Sequence, residues 1–449
     1  MKLKICKIFS AASVCLLFFS CKPHVDVPAV STGSLDLTKY VAIGNSMSAG
    51  YADNALYNEA QQNSYPNLIA KQFKIAQGGG SFVQPLVDVS SVGIGVAQNA
   101  RLVLGAAADC SGNISLAPVN SANEGDFNIF TTSVAAQGPF NNMAVPGAKA
   151  VTTIYPGYGN PANGAGNFNP FFTRMTANPA SASILSDAAA QVPSFFSLSI
   201  GNDDVFAYAL SGGAADGITP SAGPAGAGFD ASVDVIVNTL TANGSKGIIA
   251  NIPGLSAIPY FTTIPYNGLL LDAANAAALS AAYAPLGISF QAGYNGFIIE
   301  DAGAPGGLRQ IQQGELVLLS VPQDSLKCGG WGSMKPIPNQ FVLTASEILP
   351  IIDAIGAFNA KLKSVADAKG LAYVDVNAFM NTVKSGIVYN GVNINASFVA
   401  GGAFSLDGVH LTPLGNALLA NAFIDAINTK YGASIPRVEA TRYRGVAFP

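Results

Sequence analysis

Histidine is almost missing from this chain: of 449 residues, only His24 and His410 carry an imidazole. Cysteine is scarce too, with five in all, tryptophan occurs once, and charged side chains make up 11% with a formal net charge of -4. Each shortage excludes something. Two histidines and no Cys-x-x-Cys pair leave a zinc or iron site almost no ligands. Weak net charge without a basic run provides no footprint for nucleic acid and no polybasic surface for anionic lipid. Past Phe19 no apolar run reaches the length of a membrane span; the most hydrophobic later helix, expected around Leu269 to Ala282, carries Asp272. With 49% apolar residues, low charge points to a packed fold and away from disorder.

The N-terminus has the marks of an export signal. Three lysines stand in Met1 to Lys7, a nearly unbroken apolar run fills Ile8 to Phe19, and Ser20-Cys21 precede polar Lys22 and Pro23. A cysteine directly after the cut resembles a bacterial lipoprotein signal, in which Cys21 becomes the lipidated first residue; a plain signal peptide cut nearby is the alternative. Residues 1–20 are therefore read as signal peptide, 21–37 as an extended Pro-, Val- and Ser-rich tether, and 38–449 as one domain. The expected location is the bacterial cell envelope, with the protein held to a membrane by its lipid. Cys6 and Cys15 leave with the signal, and the remaining Cys110 and Cys328 can pair in an oxidising compartment or stay as two free thiols.

Short apolar strands are predicted at Tyr40–Ile43, Asn142–Val145, Phe195–Ile200, Gly247–Ile252 and Leu371–Val376. Helices are predicted between them, at Ser64–Phe73, Ser183–Gln191, Asp230–Leu240, from the capping-box run Thr344-Ala345-Ser346-Glu347 to about Ala368, and after Pro413. In the last helix Leu418, Leu419, Phe423 and Ile427 share one face while Asn421, Asp425 and Asn428 fall opposite. Strands alternating with helices make the fold class α/β, three layers with a mostly parallel sheet covered on both faces. Two loop-rich insertions, about 78–140 and about 253–341, interrupt it. In such sheets sites form beyond the carboxyl ends of the strands, and the insertions are expected there as a lid or wall.

Neutral-pH proton transfer in the folded part must use His410 if it uses an imidazole. Asp407 stands three residues earlier in Ser405-Leu406-Asp407-Gly408-Val409-His410, close enough for a turn to set a carboxylate on one ring nitrogen. A lone Asp-x-x-His equally fits a buried histidine bonded to a nearby carbonyl. Three predicted strand ends add further groups: Gly44-Asn45-Ser46, Pro146-Gly147 and Gly201-Asn202-Asp203-Asp204. Taken singly, each reads as a cap or a turn.

Together, in this order, the four pieces resemble the SGNH (GDSL-type) hydrolase family. Its opening block is matched by Ala42-Ile43-Gly44-Asn45-Ser46-Met47-Ser48-Ala49-Gly50-Tyr51-Ala52-Asp53, the second by Gly147, the third by Ser199-Ile200-Gly201-Asn202-Asp203-Asp204 and the last by Asp407-Gly408-Val409-His410. The resemblance runs roughly from Leu37 to Gly432. It implies a three-layer, flavodoxin-like α/β/α fold and an esterase or lipase-type hydrolase that uses no cofactor and no metal. Ser46 would be the nucleophile, His410 the general base and Asp407 its orienter, with the amides of Ser46 and Gly147 binding the oxyanion. Substrates would be small-molecule, lipid or carbohydrate esters.

Two positions depart from the family pattern. Asn45 replaces the aspartate of the opening block. An ungapped match puts Asp203 where an asparagine should donate to the oxyanion, whereas Asn202 has the right chemistry one residue earlier. The alternative function is a catalytically weak surface lipoprotein that binds a glycan or lipid on the same fold.

Overall fold

The computed structural model describes residues 29–214 and 217–449. The expected signal peptide, Cys21 and His24 lie outside the described residues. Four parallel strands form the central sheet: β1 (Tyr40–Gly44), β2 (Phe195–Ser199), β3 (Lys246–Ala250) and β4 (Ala372–Val374), in that spatial order. Register is set by Ile43 opposite Leu198 and by Ser197 opposite Ile248.

The segment expected as a strand at Asn142–Val145 lies on the outer side of β1, paired to it by the Ala42–Asn142 bridge and by amide bonds from Met143 to Ala42 and from Val145 to Gly44. It stays a bridge because Pro146, which has no N–H, ends the pairing at once. Counting it, the chain order across the sheet is 2-1-3-4-5, so the direction of winding reverses at β1. Ligand crevices open at such a reversal.

Alternation along the strands produces the layers. Val41, Ile43, Phe196, Leu198 and Ile249 share one buried cluster with residues of the helices α4 (Phe229–Thr241) and α5 (Ala345–Ala368). Their strand neighbours Tyr40, Ala42, Phe195, Ile248 and Ala250 share the other with α2 (Tyr65–Ile75) and α6 (Pro413–Tyr431). A period of two thus sends successive side chains to opposite helical layers. The remaining two labelled helices, α1 (Ser46–Ala49) and α3 (Asn202–Leu210), start directly at the ends of β1 and β2. None of the described helices is long and apolar enough to cross a membrane.

Three expectations need correction. The tether was expected to run to Leu37, but the chain is docked earlier: Ser31 bridges Ser434, and Leu35 and Leu37 are buried beside the last helix. Two leucines near α6 gain more from burial than from extension into water. The helix expected around Leu269–Ala282 begins only at Ala273, because the Asp272 side chain accepts the Asn275 N–H as a cap and leaves Leu269–Leu271 as a strand. In α6 the expected polar face is covered at Asn421. Asn421 is buried and exchanges two hydrogen bonds with the Val438 backbone, since the chain after Gly432 folds back over that side.

Parts of both insertions line the cavity at the strand ends, while the start of the first packs at the other end of β1, where Phe82 stacks on Tyr40. The first carries the hairpin Leu102–Ala108/Ile114–Asn120. The second has a small core of its own around Phe297, Ile299, Val317 and Val342. A disulfide joins Cys110 to Cys328 and so ties one insertion to the other.

Candidate active site

Ser46 is the first residue of α1, two residues beyond the end of β1. Asn45 caps that helix, its side-chain oxygen accepting the Met47 N–H at 3.4 Å. The turn is possible because Gly44 has no side chain: a Cβ there would sit 2.2 Å from Ser48 Oγ. Ser46 is left partly exposed, while Asn45 and Met47 on either side are buried.

His410 arrives from the far end of the chain, 364 residues away, with its Nε2 2.9 Å from Ser46 Oγ. Its Nδ1 lies 2.9 Å from Asp407 Oδ2. With Nδ1–H donating to the carboxylate, Nε2 is the lone-pair nitrogen and accepts the serine hydroxyl. Asp407 is nearly enclosed and every acceptor position is used. Oδ1 takes N–H groups from Val409 and His410, both at 2.8 Å, and the Ser405 hydroxyl at 3.0 Å; Oδ2 also takes the Asn54 N–H at 2.9 Å. Burial alone would raise this carboxyl, but the facing His410 and the amide donors outweigh it and hold the group well below the usual carboxylate range.

The turn that presents Asp407 and His410 is held from two sides. On one, the two-residue turn Asp53-Asn54 joins Tyr51-Ala52 to Ala55-Leu56, both turn residues having positive φ. Asp53 N–H donates to Ser405 Oγ at 3.0 Å, and its Oδ1 accepts the Leu406 N–H at 2.9 Å. The Tyr51 ring lies 4.8 Å from the imidazole, centroid to centroid. On the other, the second insertion supplies the Tyr260 N–H to the Gly408 carbonyl at 2.9 Å. The sequence reading gave Asp53, Asn54 and Tyr51 no role. An Asp-Asn pair between two short apolar pairs is a hairpin signal that could have flagged the turn, though nothing in it announces the distant partner.

Potential donors line the same cavity as the serine. Among the described residues, neither the Ser46 nor the Gly147 N–H has an acceptor in the protein, and both residues line the same cavity. Gly147 sits at φ +80°, a conformation strained for any other residue. Asn202 opens α3, is buried, lines the cavity, and among the described residues its side-chain amide has no partner. Asp203 lines it too, with Oδ2 enclosed and unpaired; the Asn45 amide faces it without forming a good hydrogen bond. Burial and then the adjacent Asp204 push the Asp203 carboxyl up to about 7. Asp204 is itself raised to about 6 by burial, and its Oδ2 accepts the Ala150 N–H at 2.8 Å, binding the third strand end to the Gly147 turn.

The fold therefore brings together Ser46, Gly147, Asn202, Asp203, Asp407 and His410 around one cavity of about 1070 Å³. Chemically this is a hydroxyl on a base, a base on a carboxylate, and unpaired N–H groups in the same cavity. That combination suits attack on a carbonyl whose oxygen becomes negative.

No family model matches the chain. No curated protein matches it either. Among solved structures it is similar to an acetylxylan esterase from Geobacillus stearothermophilus, with a TM-score of 0.34 at 11% identity over 89% of this chain and 96% of that one. It is similar as well to an extracellular lipase from Streptomyces rimosus, at 0.34 and 12% over 88% and 99%. A third is an alpha/beta hydrolase enzyme from the metagenome of Lake Arreo, at 0.31 and 11% over 88% and 96%. At these scores the likeness is slight, and what the site can do rests on its geometry.

Proposed function

We propose that the protein is a serine esterase of the SGNH type, exported and anchored by lipid at Cys21. The observation that carries the reading is the unbroken relay from Asp407 to His410 to Ser46, each link 2.9 Å, in a cavity that unpaired amides also line.

In the first half of the reaction Ser46 Oγ attacks the ester carbonyl while its proton passes to His410 Nε2. The carbonyl oxygen takes the negative charge and receives the Ser46 and Gly147 N–H groups, with the Asn202 side-chain amide as third donor. Collapse breaks the bond to the alcohol, which leaves with the proton from His410, and the acyl group stays on Ser46. Water then repeats the sequence, giving its proton to His410 and its oxygen to the acyl carbon, and Ser46 recovers its proton as the acid departs. Asp407 stabilises the imidazolium in both halves without taking its proton.

Asn202 is chosen over Asp203 because a neutral amide without another partner can donate, whereas an ionised carboxylate would repel the oxyanion. Export agrees with the Cys110–Cys328 disulfide, which suits an oxidising compartment.

A serine-directed fluorophosphonate tests the chemistry. It should label the purified protein, and labelling should vanish in Ser46→Ala; a folded wild-type protein that neither labels nor cleaves short aryl esters would refute the reading. The anchor is tested apart, by detergent partition of the full chain expressed in a Gram-negative host. Cys21→Ser should move the protein to the aqueous phase.

A further inference from the structure

The two insertions supply about half of the lining of the cavity over Ser46, and its walls are mainly apolar. The hairpin contributes Leu102, Ala107, Ala117 and Pro118; the second insertion contributes Ile264 and Leu319; α3 contributes Phe206 and Leu210 behind them. Two tyrosines also line it, but their hydroxyls are already engaged. Tyr51 donates to the Asn54 carbonyl at 2.8 Å and Tyr260 to the Leu210 carbonyl at 2.9 Å. The one tryptophan, a residue suited to stacking on a sugar face, is packed elsewhere against Phe341.

Most polar side chains of the lining are exposed, at Ser115, Thr263 and Ser320 and at Gln323, Asp324 and Lys327 next to the Cys110–Cys328 bridge, while Lys149 is half-buried. The Cys110 N–H donates to Asp324 Oδ1 at 3.3 Å, so the two insertions are joined there by a hydrogen bond as well as by the disulfide. The result is a polar rim, a mainly apolar chamber and the Ser46 hydroxyl in its wall. Its volume, about 1070 Å³, is just above the range of about 300–1,000 Å³ for pockets that bury a whole small ligand.

A glycan would leave most of its hydroxyl groups unpaired against mainly apolar walls, at a cost for each one buried. A hydrocarbon chain loses only its contact with water, which is favourable. We infer that the chamber under the disulfide-joined insertions takes a medium or long aliphatic arm of the ester, placing its carbonyl at Ser46. This rests on the esterase reading and assigns its substrate class.

Initial rates with p-nitrophenyl acetate, butyrate, octanoate and palmitate, kept below their aggregation concentrations, test the acyl side. Acetate esters of butanol, octanol and hexadecanol test the alcohol side. One series should show kcat/KM rising about three- to fourfold for each methylene buried, until the chamber is full. Ala117→Asp, on the partly exposed hairpin, should lower the ratio of long- to short-chain kcat/KM at least tenfold. Flat or falling values in both series, or an unmoved ratio in a folded Ala117→Asp protein, would overturn the inference while leaving the esterase reading in place. Faster turnover of an acetylated oligosaccharide than of any aliphatic ester would do the same. Failure of the esterase reading looks different: no ester is cleaved and Ser46 takes no phosphonate.

Discussion

The Asp53 carboxylate accepts the Leu406 N–H at 2.9 Å across 353 residues of sequence. Asp53 returns a second bond through its own amide to Ser405 Oγ, and its other carboxylate oxygen accepts the Tyr57 hydroxyl at 2.6 Å. Residues 405 and 406 come directly before Asp407, so the turn at Asp53 fixes where the triad carboxylate stands.

Loss of that clamp should appear as slower chemistry with little change in substrate binding. Asp53→Ala is expected to reduce kcat about 10- to 100-fold with KM nearly constant, since small displacements of a reacting group have costs of that order. Asp53→Asn, which keeps an acceptor and tolerates the positive φ, should restore most of the rate. Steady-state kinetics on the short aryl ester decides it; an Ala variant with full kcat would show that the turn holds itself.

The third oxyanion donor separates two neighbouring side chains. Asn202→Ala should lower kcat by about 10²–10³, the usual loss for one such donor. Asp203→Asn should instead raise kcat above pH 7, where the wild-type carboxyl has lost its proton, and leave it almost unchanged at pH 5. A collapse of activity in Asp203→Asn with a mild effect in Asn202→Ala would exchange the two roles.

Much of this was legible in the sequence, for a physical reason. The buried strands at Tyr40–Gly44, Phe195–Ser199 and Lys246–Ala250 are short apolar runs with clear stops, and the strand ends carry glycine with polar residues. Scarcity of histidine reduced the choice of base to His410. What could not be read were contacts made across the fold: the Asp53 clamp, the covering of Asn421 by the C-terminal segment, and the docking of Leu35 and Leu37. Local composition says which side chains want a partner and leaves open which distant segment supplies it. The mix of Phe, Tyr, Val and Gly in the insertions suits an acyl group and a sugar face alike, so composition left open which kind of inner surface they share.

The bridge between Cys110 and Cys328 closes a separation of 218 residues. Removing it frees the unfolded chain and should lower stability by about 2–5 kcal/mol. Paired Cys110→Ser and Cys328→Ser substitutions are expected to reduce the denaturant midpoint. They should also raise hydrogen exchange in the hairpin Leu102–Asn120 and in Gln323–Lys327, while β1 and β2 stay protected. Equal protection of those two segments with and without the bridge would mean that packing alone holds the roof.

Stability should also fall with pH over a defined window. Asp203 and Asp204 are raised to about 7 and about 6, above the value near 4 of an unfolded carboxyl. Below pH 4 both states hold these protons and the pair contributes nothing. Between about pH 4 and 7 the unfolded chain has released them while the native protein still holds them, so stability drops as pH rises and levels off above 7. Asp407 acts in the opposite sense: its lowered carboxyl adds stability above the unfolded value and loses it only in stronger acid. Asp203→Asn keeps the shape and removes one titrating proton. Its melting temperature, taken by calorimetry from pH 4 to 8, should gain on the wild type by about 2–5 °C at pH 8 and little at pH 4. Equal gains at both ends would mean that the substitution acts through packing and that the buried charge contributes nothing to the decline.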